Sequence, residues 1–209
     1  MLLPSLFVNL RFYTMTTLGI IAVPLSDLWL PILLAAVIVF IASSIMHMAL
    51  TYHKSDYRPL PDEERVTDAL RSTGVGPGRI YFFPYFSFKE MKSTAVIDKM
   101  KRGPVGMLTV LPSGPPAMGS KLIQWFVYCL VVGIFAGYLA GRTLTPGTSY
   151  LEVFRVVGTA AFLGYGFAHA QESIWGGRSW VVTFKHIFDS LVYAGLTAGT
   201  FGWLWPRPL

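Results

Sequence analysis

Four long apolar segments constrain the fold of this chain more than any other feature of its sequence. They cover residues 28–50, 122–141, 150–170 and 180–205, and few charged side chains interrupt them. Each segment approaches or exceeds the roughly 20 residues that a helix needs to cross the ~30 Å hydrocarbon core of a bilayer. Hydrocarbon offers no hydrogen-bond partners, so the backbone of each segment must satisfy itself, as a helix does. The sequence therefore predicts an all-α membrane protein with four transmembrane helices in a bundle, forming a single membrane domain over residues 28–209.

The overall composition favours lipid rather than water as the main solvent. Hydrophobic residues make up 53% of the chain and charged residues only 13%, which is far from the balance of a soluble domain. The formal net charge of +6 does not predict nucleic-acid binding, because no pattern of stacking and phosphate-binding residues accompanies it. Cys129 is the only cysteine, which excludes an intrachain disulfide and a thiolate zinc cluster.

Residues 1–27 are predicted to form an N-terminal interfacial segment rather than a span. Three residues break this apolar stretch into pieces too short to cross a bilayer: Pro4, Arg11 and Pro24. There are two alternatives: Met15 as the true start of the protein, and a cleaved signal peptide with Ala42 and Ser44 in the cleavage pattern. The signal peptide is less favoured, because cleavage there would send the basic segment that follows to the outside.

A long basic loop, residues 53–120, separates the first two apolar segments. Its 68 residues contain ten lysines and arginines: Lys54, Arg58, Arg65, Arg71, Arg79, Lys89, Lys92, Lys99, Lys101 and Arg102. Loops enriched in lysine and arginine stay in the cytoplasm. The sequence therefore predicts that the loop is cytoplasmic, that both termini are outside, and that the protein is a multi-pass protein of a bacterial inner membrane.

Within this loop we expect a short amphipathic helix, followed by irregular chain on the membrane surface. The range 61–64 supplies a proline and an acidic first turn, apolar residues then recur at helical spacing, and the helix is expected to end near Ser72. The glycine-rich range 74–78 indicates a helix stop, because it lacks the residues of a phosphate-binding loop. The range 105–111 is a candidate strand. An aromatic cluster suits the headgroup layer: Tyr81, Phe82, Phe83, Tyr85, Phe86 and Phe88.

Glycines spaced four residues apart indicate surfaces for close helix packing. Gly133, Gly137 and Gly141 lie in the second apolar segment, and Gly195 and Gly199 lie in the fourth. Helices in a bilayer associate through van der Waals packing, and small residues let two backbones approach closely. Packing within the chain is the favoured interpretation, and a homo-oligomer or docking to a larger membrane complex is the alternative.

All four histidines are predicted to gather at the cytoplasmic ends of the helices, with two carboxylates. The cluster comprises His47, His53, His169, Glu172, His186 and Asp189. Glu172 follows His169 by three residues, and Asp189 stands in the same relation to His186, so each pair shares a helix face. Imidazoles and carboxylates together bind zinc, iron or manganese, and ionisable groups in a membrane are costly enough to indicate function. The cluster is therefore a candidate metal or proton site of unknown metal, but a purely structural polar cluster, including a Lys185–Asp189 ion pair, is favoured over either.

At the opposite ends of the helices, a smaller charged group is predicted to close the turn between the second and third segments. It comprises Arg142, Glu152 and Arg155, of which the last two share a helix face. Such an outer ion pair contributes little to stability where water reaches it.

The sequence contains no catalytic motif in a location where its geometry would make sense. Signatures for a Ser-His-Asp triad, HExxH, CxxC and nucleotide binding are all missing. The leading interpretation is a non-catalytic accessory, assembly or structural subunit of a membrane complex, with the lipid bilayer and other subunits as partners. A metal- or haem-binding membrane oxidoreductase that uses the histidine cluster is the first alternative. An oligomeric transporter or channel component is the second.

Overall fold

The described part of the chain, residues 22–208 of a computed structural model, is mostly helical. The helices are α1 Trp29–Met48, α2 Glu63–Ser72, α3 Thr94–Arg102, α4 Met118–Thr143, α5 Tyr150–Gly166, α6 Ala168–Gly176 and α7 Trp180–Trp203. The strands are β1 Ile80–Phe83 and β2 Gly106–Thr109, and short 3₁₀ turns cover Leu25–Leu28 and Tyr52–Ser55. The expectations for residues 1–21, including Met15 as a start, lie outside this description.

Three helices in residues 22–208 are long and apolar enough to cross a membrane. They are Leu25–Met48, Met118–Thr143 and Tyr150–Gly176, the last of which joins α5 and α6. The fourth predicted segment forms α7, which has 24 residues but carries Lys185, His186 and Asp189 in its first half. Helix α7 is not among the three helices that meet the length and apolarity of a span. A membrane protein with three such helices is therefore supported, and the fourth span stays a prediction.

The four long helices pack against one another in the order α1, α4, α5, α7, with α7 returning to α1. Small buried side chains line the contacts: Ala35, Ala36, Ala136, Ala140, Ala161, Ala194 and Ala198. Phe201 is the largest fully buried side chain of the described residues, and it fills the space between the helix ends away from the loop. Because alanine and glycine leave the backbones close together, packing supplies the attraction that lipid does not.

The predicted packing glycines divide into two groups. A Cβ atom built on Gly133 would meet Ile32, and one on Gly137 would meet Phe201 and Ile32, so this surface of α4 contacts other helices of the same chain. At Gly141 a Cβ would come closer than 3.0 Å to the backbone oxygen of Val23, a separation that real Cβ atoms essentially never show. Gly195, by contrast, has nothing within 4 Å.

The fourth-segment pair therefore does not act as one packing surface. A Cβ atom built on Gly199 would lie 3.4 Å from the hydroxyl of Tyr150, whereas one on Gly195 would meet open space. The prediction of packing at Gly195 is wrong within this chain. A spacing of four residues places two glycines on one side of a helix, but it does not decide which neighbour that side meets along its length.

The loop contains more regular structure than expected. The amphipathic helix is α2, which ends at Ser72 as predicted, and Asp62 caps it by accepting a hydrogen bond from the Arg65 backbone N–H at 3.3 Å. The expected strand is β2, but its antiparallel partner β1 lies in the aromatic cluster, with Ile80 opposite Thr109. Strand β1 was not predicted, because a run of aromatic residues suits both a headgroup layer and a strand. Helix α3 was also not anticipated.

Candidate functional site

Three histidines meet where α1, the turn that follows it, and α7 come together. His47 lies in the last turn of α1, His53 in the 3₁₀ turn Tyr52–Ser55, and His186 in the second turn of α7. The ring centre of His53 lies 4.3 Å from that of His47 and 5.3 Å from that of His186. Residues separated by more than 130 positions in the sequence therefore form one cluster.

His53 lies between two buried carboxylates. Its Nδ1 is 2.6 Å from Oδ2 of Asp56, and its Nε2 is 2.9 Å from Oδ2 of Asp189. The side chains of Asp56 and Asp189 are only 4% and 2% exposed. Asp189 also accepts a hydrogen bond from the hydroxyl of Tyr52 through its other oxygen, and His186 approaches the same carboxylate at 3.8 Å.

Lys185 joins the turn after α1 to α7. Its Nζ donates to the carbonyl oxygen of Tyr52 at 2.6 Å, to Oγ of Ser55 at 2.8 Å and to Oδ1 of Asp56 at 2.6 Å. These three acceptors occupy the three donor positions of an ammonium group. The helical ion pair between Lys185 and Asp189 is therefore not formed, because the amine is directed to the turn instead.

The two carboxylates of the cluster share His53 as a partner. Asp56 contacts Lys185 and one ring nitrogen of His53, and Asp189 contacts the other ring nitrogen. Burial by itself raises the pKa of Asp56, but the hydrogen bonds from Lys185 and His53 outweigh it, and the pKa is below its ordinary value. Burial and the bond to Asp189 raise the pKa of Tyr52 well above the usual range, so Tyr52 is a donor at neutral pH.

A metal ion beside Nε2 of His53 would have several donor atoms within reach. Donor atoms of His47, His53 and Asp189 all lie within 4.8 Å of one another, as do those of His53, Asp56 and His186. Atoms that share one tetrahedral ion at about 2.1 Å lie roughly 3.4 Å apart, so the side chains must close by about 1 Å. Metal-bound histidines usually donate their second N–H to a carboxylate, and Asp56 is in that position.

The other two predicted members of the cluster have different surroundings. His169 stacks on His186 with ring centres 4.8 Å apart, and its Nδ1 is the one buried side-chain N or O in residues 22–208 that lacks a hydrogen-bond partner. Glu172 is not in the cluster, because Arg178 in the turn after α6 forms an ion pair with it. Its side chain is 49% exposed.

The outer ion pair of Arg142, Glu152 and Arg155 is not formed. Glu152 instead accepts a hydrogen bond from Oγ of Ser149 at 2.9 Å, in the first turn of α5. Neither arginine has a salt bridge to any acidic residue in the described range 22–208. A local partner three residues away takes the carboxylate at little entropic cost.

Sequence reasoning did not include Tyr52, Asp56 and Lys185 in the site. The spacing of His53 and Asp56, three residues apart, was a usable signal, but the contacts to α7 span more than 120 residues and leave no local pattern. No family model, curated protein sequence or solved structure matches this chain. The function is therefore inferred from the geometry of the cluster.

Proposed function

We propose that this chain is a membrane protein that binds a divalent transition-metal ion at the loop end of its helices. His47, His53 and Asp189 are the proposed ligands, and His186 lies 3.8 Å from the Asp189 carboxylate. Nitrogen and oxygen donors of this kind suit zinc, iron or manganese rather than copper(I) or an iron–sulfur cluster. Helix α7 is the proposed fourth span, with its polar first half facing the other helices.

The observation that carries this proposal is the chain of contacts through His53. One nitrogen faces a buried carboxylate that can bind a metal, at 2.9 Å, and the other donates to a second buried carboxylate, at 2.6 Å. Lys185 and Tyr52 hold the two carboxylates in place. Burying so many ionisable groups beside membrane helices is costly, and such groups are retained mainly where they have a function.

The topology proposed for this site puts the loop and the metal on the cytoplasmic side and both termini outside. The excess of lysine and arginine in residues 53–120 supports it. Single-cysteine variants at Ser87 and Pro208, made in a Cys129→Ala background, test it with a membrane-impermeant thiol reagent. We expect labelling of Ser87→Cys only after the membrane is opened, and the opposite pattern overturns the orientation.

Metal analysis of the detergent-purified protein tests the proposed function. We expect a stoichiometric transition metal in the wild type and at least about tenfold weaker binding in His53→Ala and Asp189→Asn, because each removes a ligand. Glu172→Gln is the matched control, since it removes a carboxylate at the same end that pairs with Arg178 outside the cluster. Wild-type protein that binds no zinc, iron or manganese after reconstitution contradicts the proposal. An absorption spectrum separates a bound haem from a simple ion.

A second proposed role, an accessory subunit of a membrane complex, is supported by the exposure of the loop. Beyond the turn that carries His53 and Asp56, no residue from 57 to 120 is buried. Aromatic side chains that normally prefer an interface are open, with Tyr85 84% and Phe88 92% exposed. A partner subunit or the lipid surface would cover them. Purification in mild detergent tests this role by identifying proteins that co-purify with the wild type. If Tyr85→Ser and Phe88→Ser both lose such a protein while their metal content is unchanged, the subunit role is supported. If both variants retain it, the role is contradicted.

A further inference from the structure

A cavity of about 390 Å³ lies directly beside the histidine cluster. Its polar side is formed by His47, His169, His186 and Asp189, and its remaining wall is mainly aromatic: Trp125, Tyr128, Tyr165 and Tyr193. Cavities of this size hold small molecules rather than single waters. The cavity is therefore large enough for a six-membered ring and the first atoms of a tail.

Two side chains of the aromatic wall, Trp125 and Tyr128, have their polar atoms bonded outside the cavity. The indole N–H of Trp125 donates to Oγ of Ser43 at 2.8 Å, and the hydroxyl of Tyr128 donates to the carbonyl of Gly164 at 2.6 Å. The Trp125 and Tyr128 rings are stacked, with ring centres 5.7 Å apart and planes at 20°. Such fixed, parallel faces favour a planar ring over a flexible chain.

One residue of the cavity wall, His169, has a buried polar atom without a partner. Nδ1 of His169 is buried and makes no hydrogen bond, whereas the ring itself is held by stacking on His186. A buried polar atom without a partner costs free energy, and native proteins rarely retain one unless a ligand or water completes it. An oxygen on a bound ring is a suitable partner for this nitrogen.

Two residues of the cavity wall, Tyr128 and Ala168, are exposed on the lateral surface of the helices. Tyr128 is 41% exposed on α4, and Ala168 is exposed at the start of α6, so the two lie at the outer surface of helices that are long and apolar enough to span a membrane. Both residues are near the loop end of the helices. A molecule dissolved in the bilayer near its headgroups would reach the cavity without crossing water.

We propose that this cavity binds the ring of a quinone or quinol from the lipid phase, with a ring oxygen hydrogen-bonded to His169. A quinone has a planar ring that suits the aromatic walls and oxygen atoms at the ring edge that can pair with His169. Its lipid-soluble tail can extend into the bilayer through the exposed side of the cavity. The proposal rests on the proposed function only for the membrane setting. It does not require that the metal be bound.

The test uses the full chain in phosphatidylcholine nanodiscs, titrated with a short-chain 1,4-benzoquinone while tryptophan fluorescence is recorded. We expect saturable quenching, because Trp125 lies in the cavity wall. His169→Phe keeps a ring to stack but removes the nitrogen, and we expect about tenfold weaker binding. Ala168→Phe places a ring at the exposed side of the cavity and should abolish saturable quenching. Ile134→Phe, at an exposed site on the outer surface of α4, is the matched control and should leave binding unchanged.

Metal content measured on the same samples separates the two proposals. If the protein binds no metal but shows saturable quenching, the missing metal overturns the proposed metal function and the quenching supports the quinone site. Metal-loaded wild-type protein without saturable quenching overturns the quinone site alone, as does equal binding by Ala168→Phe and Ile134→Phe. Displacement of the quinone by phospholipid, without any effect of His169→Phe, would indicate a lipid acyl site and also overturns it.

Discussion

The tight contact at Gly141 allows a sharp test of how this fold is held together. A Cβ at this position would come closer than 3.0 Å to the carbonyl oxygen of Val23, and the N–H of Val23 donates to the carbonyl of Gly141 at 2.9 Å. Both backbone polar groups of Val23 therefore lie against one turn of α4. In Gly141→Ala the new methyl group must push this backbone away. The backbone cannot rotate out of the contact as the end of a flexible side chain would.

The expected loss of stability follows from these contacts. Inserting a methyl group into a packed site costs about 1–3 kcal/mol, and weakening the hydrogen bond adds about 1 kcal/mol. The higher helix propensity of alanine returns up to about 1 kcal/mol. The net destabilisation is therefore about 1–3 kcal/mol, which corresponds to a fall in unfolding temperature on the order of 5 °C for a chain of this size.

Gly195→Ala is the matched control, because it makes the same chemical change in a long helix but meets nothing within 4 Å. We expect it to be neutral or stabilising by up to about 1 kcal/mol. Thermal unfolding in detergent, followed by tryptophan fluorescence and by the fraction that stays monodisperse, measures both variants. Equal stability of Gly141→Ala and wild type, or equal loss in both variants, would refute the packing described here.

Three further outcomes are expected from the polar network and its surroundings. Lys185→Met leaves the carboxylate of Asp56 with one partner and should lower the free energy of unfolding by about 2–4 kcal/mol, and adding Asp56→Asn should restore part of that loss in the same unfolding assay. Trp125→Phe removes the bond to Ser43 and should cost about 1 kcal/mol in thermal unfolding; an unchanged midpoint would mean that the bond contributes nothing. Chelator treatment should lower the unfolding temperature of the wild type but not of Asp189→Asn, because only a protein that binds the metal is stabilised by it.

Features set by local pattern were predictable from the sequence. The apolar runs gave the positions of α1, α4 and α5 to within a few residues, because length and apolarity decide membrane helices. The proline and acidic turn before α2 gave that helix as well. The run of aromatic residues at β1 was misread, since the same side chains suit an interface and a strand.

Features that depend on distant partners were not predictable. The spacing of His169 and Glu172 is that of a shared helix face, but Arg178 draws the carboxylate out of the cluster. Lys185 has Asp189 one turn away in its own helix, but it pairs with Asp56, which lies 129 residues earlier in the chain. Charged groups have several partners within reach, and only the three-dimensional packing decides among them.

The place of His53 in the chain ties the proposed metal to the loop. His53 and Asp56 belong to the first turn after α1, where the loop begins, and they contact α7 only through side chains. Anything that engages the loop strongly enough to shift this turn removes one donor and its supporting carboxylate together. Thermodynamic reciprocity then requires that ion binding change the affinity of the loop for that same contact, by an equal factor.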